Sequence, residues 1–195
     1  MKRILIALLT LVLAFAMTFT LVSCDDGDKD KDNGKGNSVT DEAPEENKPV
    51  PTPEGYTVYN NGKISFAYPE KWTKQSGSID MLVNETGAGN NITVSYEQYS
   101  DIYKEMDVAG FNSTLKPYLE AAGMTVTNVS VKQLKNENGT DMTKIAYSAK
   151  TNGVSMGQTM YIVAVGEMNY IVTVTETTTD AKLVENVYNT LNIVK

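Results

Sequence analysis

From Tyr56 onward most of the chain alternates between apolar and polar side chains, the period of a strand with one covered face. Ile64, Phe66 and Tyr68 share one side of Lys63 to Tyr68, and Asn60-Asn61-Gly62 joins this run to Thr57-Val58-Tyr59. A turn carrying Asn-Gly between short alternating runs predicts a hairpin. Pro69 ends the second strand and places Trp72 in the loop that follows. Further strands are predicted at Ile79 to Asn84, Asn91 to Tyr99, Thr125 to Leu134, Thr140 to Thr151, Val154 to Val165 and Met168 to Thr175. Gly87-Ala88-Gly89 reads as a hairpin loop, and Gly166-Glu167 as the tight turn between the last two strands.

Two stretches switch to helical spacing. Phe111, Leu115, Leu119 and Ala122 line one side of a helix from about Asn112 to Ala122, stopped by Gly123. Pro117 falls in its second turn, where a missing N–H displaces the start of the regular part. Leu183, Val184, Val187, Tyr188 and Leu191 form the stripe of a second helix, Ala181 to Leu191, capped by Thr179 or Asp180. An antiparallel sheet with one middle and one C-terminal helix is an α+β layered domain.

The N-terminus has a different character. Met1-Lys2-Arg3 is a short basic segment, and Ile4 to Leu21 is apolar apart from three Thr, the layout of a secretory signal peptide. Leu21-Val22-Ser23-Cys24 resembles the bacterial lipobox, in which the Cys is acylated and becomes the first mature residue. Two or more acyl chains, each buried CH₂ contributing ~0.8 kcal/mol, anchor a protein stably to a membrane. Cys24 is thus the expected lipidation site. The competing reading, an uncleaved membrane span over Ile4 to Leu21, also puts the rest of the chain outside the cytoplasm. Asp25 to Glu54 holds ten acidic residues, four Lys and no aromatic, too little apolar surface to fold. Its Asp28-Lys29-Asp30-Lys31-Asp32-Asn33-Gly34 run misses the register of a calcium loop. The expected organisation is a signal peptide over 1–23, an acylated Cys and acidic, Pro-rich tether over 24–55, and one α+β domain over 56–195.

Composition narrows the chemistry. The chain has no His, its only Cys is Cys24 and its only Arg is Arg3. The domain therefore has no imidazole, thiol or guanidinium to offer a catalytic site. A net charge of −7 becomes −9 without Lys2 and Arg3, which argues against nucleic acid as a partner. No metal-ligand spacing and no phosphate-cradling Gly loop is present, and Ser148-Ala149-Lys150 ends a strand where the Lys reaches solvent, so no catalytic residue, metal or cofactor is expected.

Ile64-Ser65-Phe66-Ala67-Tyr68-Pro69-Glu70-Lys71-Trp72, followed by hairpin strands, a middle helix, long antiparallel strands and a terminal helix, resembles the PsbP-like domain, including its bacterial lipoprotein members. The resemblance covers residues 56 to 195. It implies an α/β/α sandwich and a role as an accessory or binding subunit. The metal-binding His of some members has no counterpart here, and no functional residue carries over.

Two groups of residues are candidates for a binding surface. Tyr68 and Trp72 flank Pro69, and Tyr96 and Tyr99 are interleaved with Glu97, Asp101, Tyr103, Glu105 and Asp107. The expected function is a membrane-anchored, extracytoplasmic, non-enzymatic binding or accessory module. Its partners are the membrane, through the lipid, and an envelope protein. The alternative is an envelope solute- or glycan-binding protein or enzyme using the acidic, Tyr-rich loop at 96–107.

Overall fold

The computed structural model describes residues 50–84 and 89–194. The leader, Cys24, the tether up to residue 49 and the Gly87-Ala88 pair lie outside the described residues. The elements are β1 (Tyr56–Asn60), β2 (Ile64–Pro69), β3 (Trp72–Ser76), β4 (Asp80–Asn84), β5 (Asn91–Gln98), α1 (Val108–Thr114), α2 (Lys116–Ala121), β6 (Thr125–Lys135), β7 (Asp141–Thr151), β8 (Val154–Val165), β9 (Met168–Glu176), α3 (Ala181–Thr190) and β10 (Asn192–Ile193). Seven strands form one sheet in the order β3-β4-β5-β9-β8-β7-β6, and a small second sheet has the order β1-β2-β10. All the pairings are antiparallel. This is the α+β class expected, with helices on both faces of the main sheet.

The two faces have separate cores. On one, Tyr161, Val163, Tyr170, Val172 and Val174 meet Leu183 and Val187 of α3, Leu191 just after it, and Ile64 and Phe66 of the small sheet. On the other, Ile145, Tyr147, Met160, Ile162 and Ile171 meet Phe111, Leu115 and Leu119. The central strands β8 and β9 are covered twice, so their apolar runs are nearly continuous and not alternating.

The first hairpin turns as the Asn-Asn-Gly sequence requires. The Asn61 side chain accepts from the N–H groups of Lys63 and Ile64, and Gly62 takes a φ of 78°. Asp180 is the cap of α3, its carboxylate accepting from Leu183 N–H at 3.1 Å.

The middle helix starts earlier than its apolar spacing implied. Asp107 caps it, accepting from Gly110 N–H at 2.7 Å, so helix begins at Val108. Pro117 then supplies no N–H, and the helix divides at Leu115 into α1 and α2.

Trp72 departs further from expectation. It opens β3 opposite Asn84, only 9% exposed, within the core under α3 and the small sheet. A loop position would leave the ring wet, whereas pairing with β4 turns it inward. Beside it, the Tyr59 hydroxyl donates to Asp80 at 2.6 Å and Lys74 pairs with the same carboxylate at 3.1 Å, joining the small sheet to the large one.

The C-terminus of α3 ends beneath the β6–β7 turn. Its last carbonyls have no partners within the helix. Asn136 Nδ2 donates to the carbonyls of Tyr188 and Leu191, and Asn138 Nδ2 to those of Asn189 and Leu191. After Leu191 the chain extends into β10, a strand too short to leave an alternation in the sequence.

Two substitutions separate these contributions. Trp72→Ala is expected to lower stability by about 3–5 kcal/mol, as for other large core aromatics, and Asn136→Ala by about 1–3 kcal/mol, through carbonyls left buried without donors. Denaturant unfolding measures both. A Trp72→Ala loss below about 1 kcal/mol would return this side chain to the surface.

Candidate functional site

The segment from Tyr99 to Asp107 crosses the end of the main sheet where β5 finishes and β9 begins. Ser100 caps a short 3₁₀ turn, Asp101–Tyr103, and the segment is pinned along its length. Tyr99 N–H donates to Glu167 O at 2.9 Å, and Asn169 Nδ2 donates to Ser100 O at 3.2 Å. The carbonyl of Tyr103 accepts from Thr143 Oγ1 at 2.8 Å and Gln133 Nε2 at 2.9 Å. Its hydroxyl donates to Glu97 Oε1 at 2.6 Å.

Glu97 is 9% exposed, and its Oε2 is buried without a hydrogen-bond partner among the described residues. Burial pushes its carboxyl above the usual glutamate range, more strongly than the Tyr103 hydrogen bond draws it down. Burial, with the neighbouring carboxylate, also raises the Tyr103 hydroxyl. The pair fastens the crossing segment to the sheet.

The pinned segment forms one wall of a cleft of about 870 Å³. Ser100, Tyr103 and Lys104 stand on that side, the end of the β6–β7 turn and the start of β7 from Asn138 to Thr143 on another, and Asn192, Ile193 and Val194 on a third. Ile162, Ala164 and Asn169 close it from the sheet. Val50 N–H donates to Asn138 Oδ1 at 2.8 Å, so the chain enters the domain beside this cleft.

The aromatic candidates are not brought together. Tyr96 is 60% exposed at the cleft end of β5, its ring 5.8 Å from that of Tyr170. Tyr99 is half-buried, bonded through its hydroxyl to Asp101 and facing Lys104 Nζ at 5.3 Å. Tyr68 lies half-buried in the small sheet. Trp72 pairs with Asn84, and the strands there align with Asn91, five residues from Tyr96 or roughly 17 Å along β5. The two candidate groups, Tyr68 with Trp72 and Tyr96 with Tyr99, therefore lie apart in the fold.

The acidic loop is divided as well. Glu97 points inward, Asp101 and Glu105 are exposed, and Asp107 is spent as the cap of α1. Among the described residues no group of three acidic side chains converges as a metal site would need.

The Asn136/Asn138 clamp and the wall at Asn192–Val194 were not legible beforehand. Asn138-Gly139 marks a turn, but the carbonyls its neighbours reach lie some fifty residues further on.

No protein-family model matches the sequence, and no curated protein matches it. Solved structures do resemble the fold. The solution structure of cyanobacterial PsbP (CyanoP) from Synechocystis sp. PCC 6803 aligns with a TM-score of 0.55 and 11% identity, over 71% of this chain and 92% of that one. A Bacteroides thetaiotaomicron VPI-5482 protein gives 0.47 and 14%, over 72% of this chain; this chain spans about half of that protein, 48%. LpqN, involved in cell envelope biogenesis of Mycobacterium tuberculosis, gives 0.41 and 13%, over 72% of this chain and 91% of that one. The likeness to CyanoP establishes a PsbP-like fold.

The Glu97 carboxyl makes a pH-dependent prediction. Its folded pKa is raised, so its contribution is full below the ordinary glutamate range and is lost as pH rises through the raised value. Glu97→Gln keeps an oxygen for Tyr103 and removes the titration. The variant is expected to gain stability over the wild type as pH rises from acid to neutral, read as a growing difference in denaturation midpoint. A difference constant with pH would show that Glu97 titrates like an exposed carboxyl.

Proposed function

We propose that this PsbP-like domain is an extracytoplasmic, non-enzymatic binding or accessory module, held at a membrane by lipid on Cys24, and that it docks an envelope protein through the cleft at the end of its main sheet. The observation that carries the reading is the position of the cleft. Val50, where the described chain begins, bonds to Asn138 in the cleft wall, so the tether enters beside the cleft. The link to the membrane therefore joins the domain at its cleft end.

The chemistry of the cleft supports binding over catalysis. Its polar side chains are largely engaged in holding its own walls: Gln133, Thr143 and Asn169 on the crossing segment, and Asn138 on α3. The acidic-loop alternative is not favoured, because Glu97 and Asp101 lie on opposite sides of the protein surface boundary and share no site.

A photocrosslinking residue at Lys104, exposed in the cleft wall, tests this in intact cells, with Asn152 in the β7–β8 turn at the far end of the sheet as control. One envelope protein captured from position 104, absent from position 152 and lost with Cys24→Ala is expected. Equal capture from both positions, or none from 104, would overturn the reading.

A further inference from the structure

We propose that the cleft takes an extended peptide segment of its partner, which adds as a strand to the free edge of β10 through the N–H and C=O of Ile193. This deepens the docking reading above and rests on it.

The direction of the Ile193 backbone follows from the ladder. Among the described residues β10 is the last strand of its sheet, paired with β2 on one side only. In an antiparallel pair, opposed residues alternate between those that exchange hydrogen bonds and those that do not. Val194 N–H donates to Lys63 O at 2.9 Å, so positions 194 and 192 face β2. Ile193, opposite Ile64, then faces away from it. Ile64 confirms the parity, because its N–H and C=O bond to Asn61 on the β1 side. Leu191 has the same outward parity, and its carbonyl is met by the amides of Asn136 and Asn138. Those two side chains therefore already act as an edge partner at Leu191. One step along the same edge, Ile193 lines the cleft and is only half-buried.

What surrounds this edge suits a neutral, extended ligand. Lys104 is paired with Asp101 at 3.9 Å and Lys135 with Asp141 at 3.3 Å, so the cations at the rim have acids of their own. The cleft polar side chains are committed to its walls, as described, while Met142, Ile162 and Ala164 offer apolar contact. Main-chain pairing would supply affinity, and alternate side chains against these residues would supply selectivity. Asn192–Val194 limits the added ladder to about three residues, consistent with a transient contact.

The test uses the full chain and a displayed library of random dodecamer peptides. Wild-type protein is expected to enrich sequences with alternating apolar residues. Ile193→Pro removes the outward N–H at an edge position where the ring is tolerated, and is expected to weaken the enriched peptides about tenfold or more while Ile193→Val binds as wild type. Independently of any variant, N-methylation along the best peptide should abolish binding at the one position whose N–H meets the Ile193 carbonyl and be tolerated at the positions on either side of it. Binding insensitive to N-methylation, or no peptide enriched on wild type over Ile193→Pro, would overturn strand addition. Capture from position 104 combined with insensitivity to N-methylation would leave docking at the cleft standing and remove only this mode.

Discussion

A strand apolar on both faces must be covered twice, and this requirement at β8 and β9 organises the molecule. Tyr161, Val163 and Val172 need a layer on one side, Met160, Ile162 and Ile171 a layer on the other. Each fully buried side chain of this size contributes about 1.5–3 kcal/mol relative to exposure. α3 with the small sheet supplies one layer and α1 with α2 the other. Neither layer is stable alone: helices of seven, six and ten residues are too short to persist in water without the sheet beneath them.

Covering the sheet with α3 creates a second problem at the helix end. The carbonyls of Tyr188, Asn189 and Leu191 arrive over the protein and not in water, and the β6–β7 turn answers with two asparagine amides. The same placement turns the chain into β10 and brings Ile193 to the rim of the cleft. Two walls of the cleft thus follow from ending a helix over a sheet.

The opposite wall depends on buried polarity. Tyr103 is held from both its carbonyl and its hydroxyl, the latter by a carboxylate with one oxygen unpaired. Burying such a group costs stability unless the proton is retained. The anchoring of the crossing segment accordingly responds to pH, and the segment borders the cleft on which the proposed function rests.

Local signals were enough for the local features. Asn60-Asn61-Gly62 makes its hairpin, Asp180 caps its helix and the long strands β6 to β9 stand within a residue or two of where their β-branched runs and flanking turns put them, because each of these depends on neighbours a few positions away. The α+β class, with one middle and one C-terminal helical region, was legible too, whereas β3 and β10 were not. The local pattern misplaced Trp72 and the start of α1, where one side chain's environment depended on a strand pairing and one cap lay outside the apolar period. The two candidate groups, Tyr68 with Trp72 and Tyr96 with Tyr99, are held apart by strand geometry. The cleft, the Asn136 and Asn138 clamp and the open edge at Ile193 were decided by tertiary structure alone. Each joins segments thirty or more residues apart, and nothing in the local pattern of side chains records which distant backbone a given amide will meet.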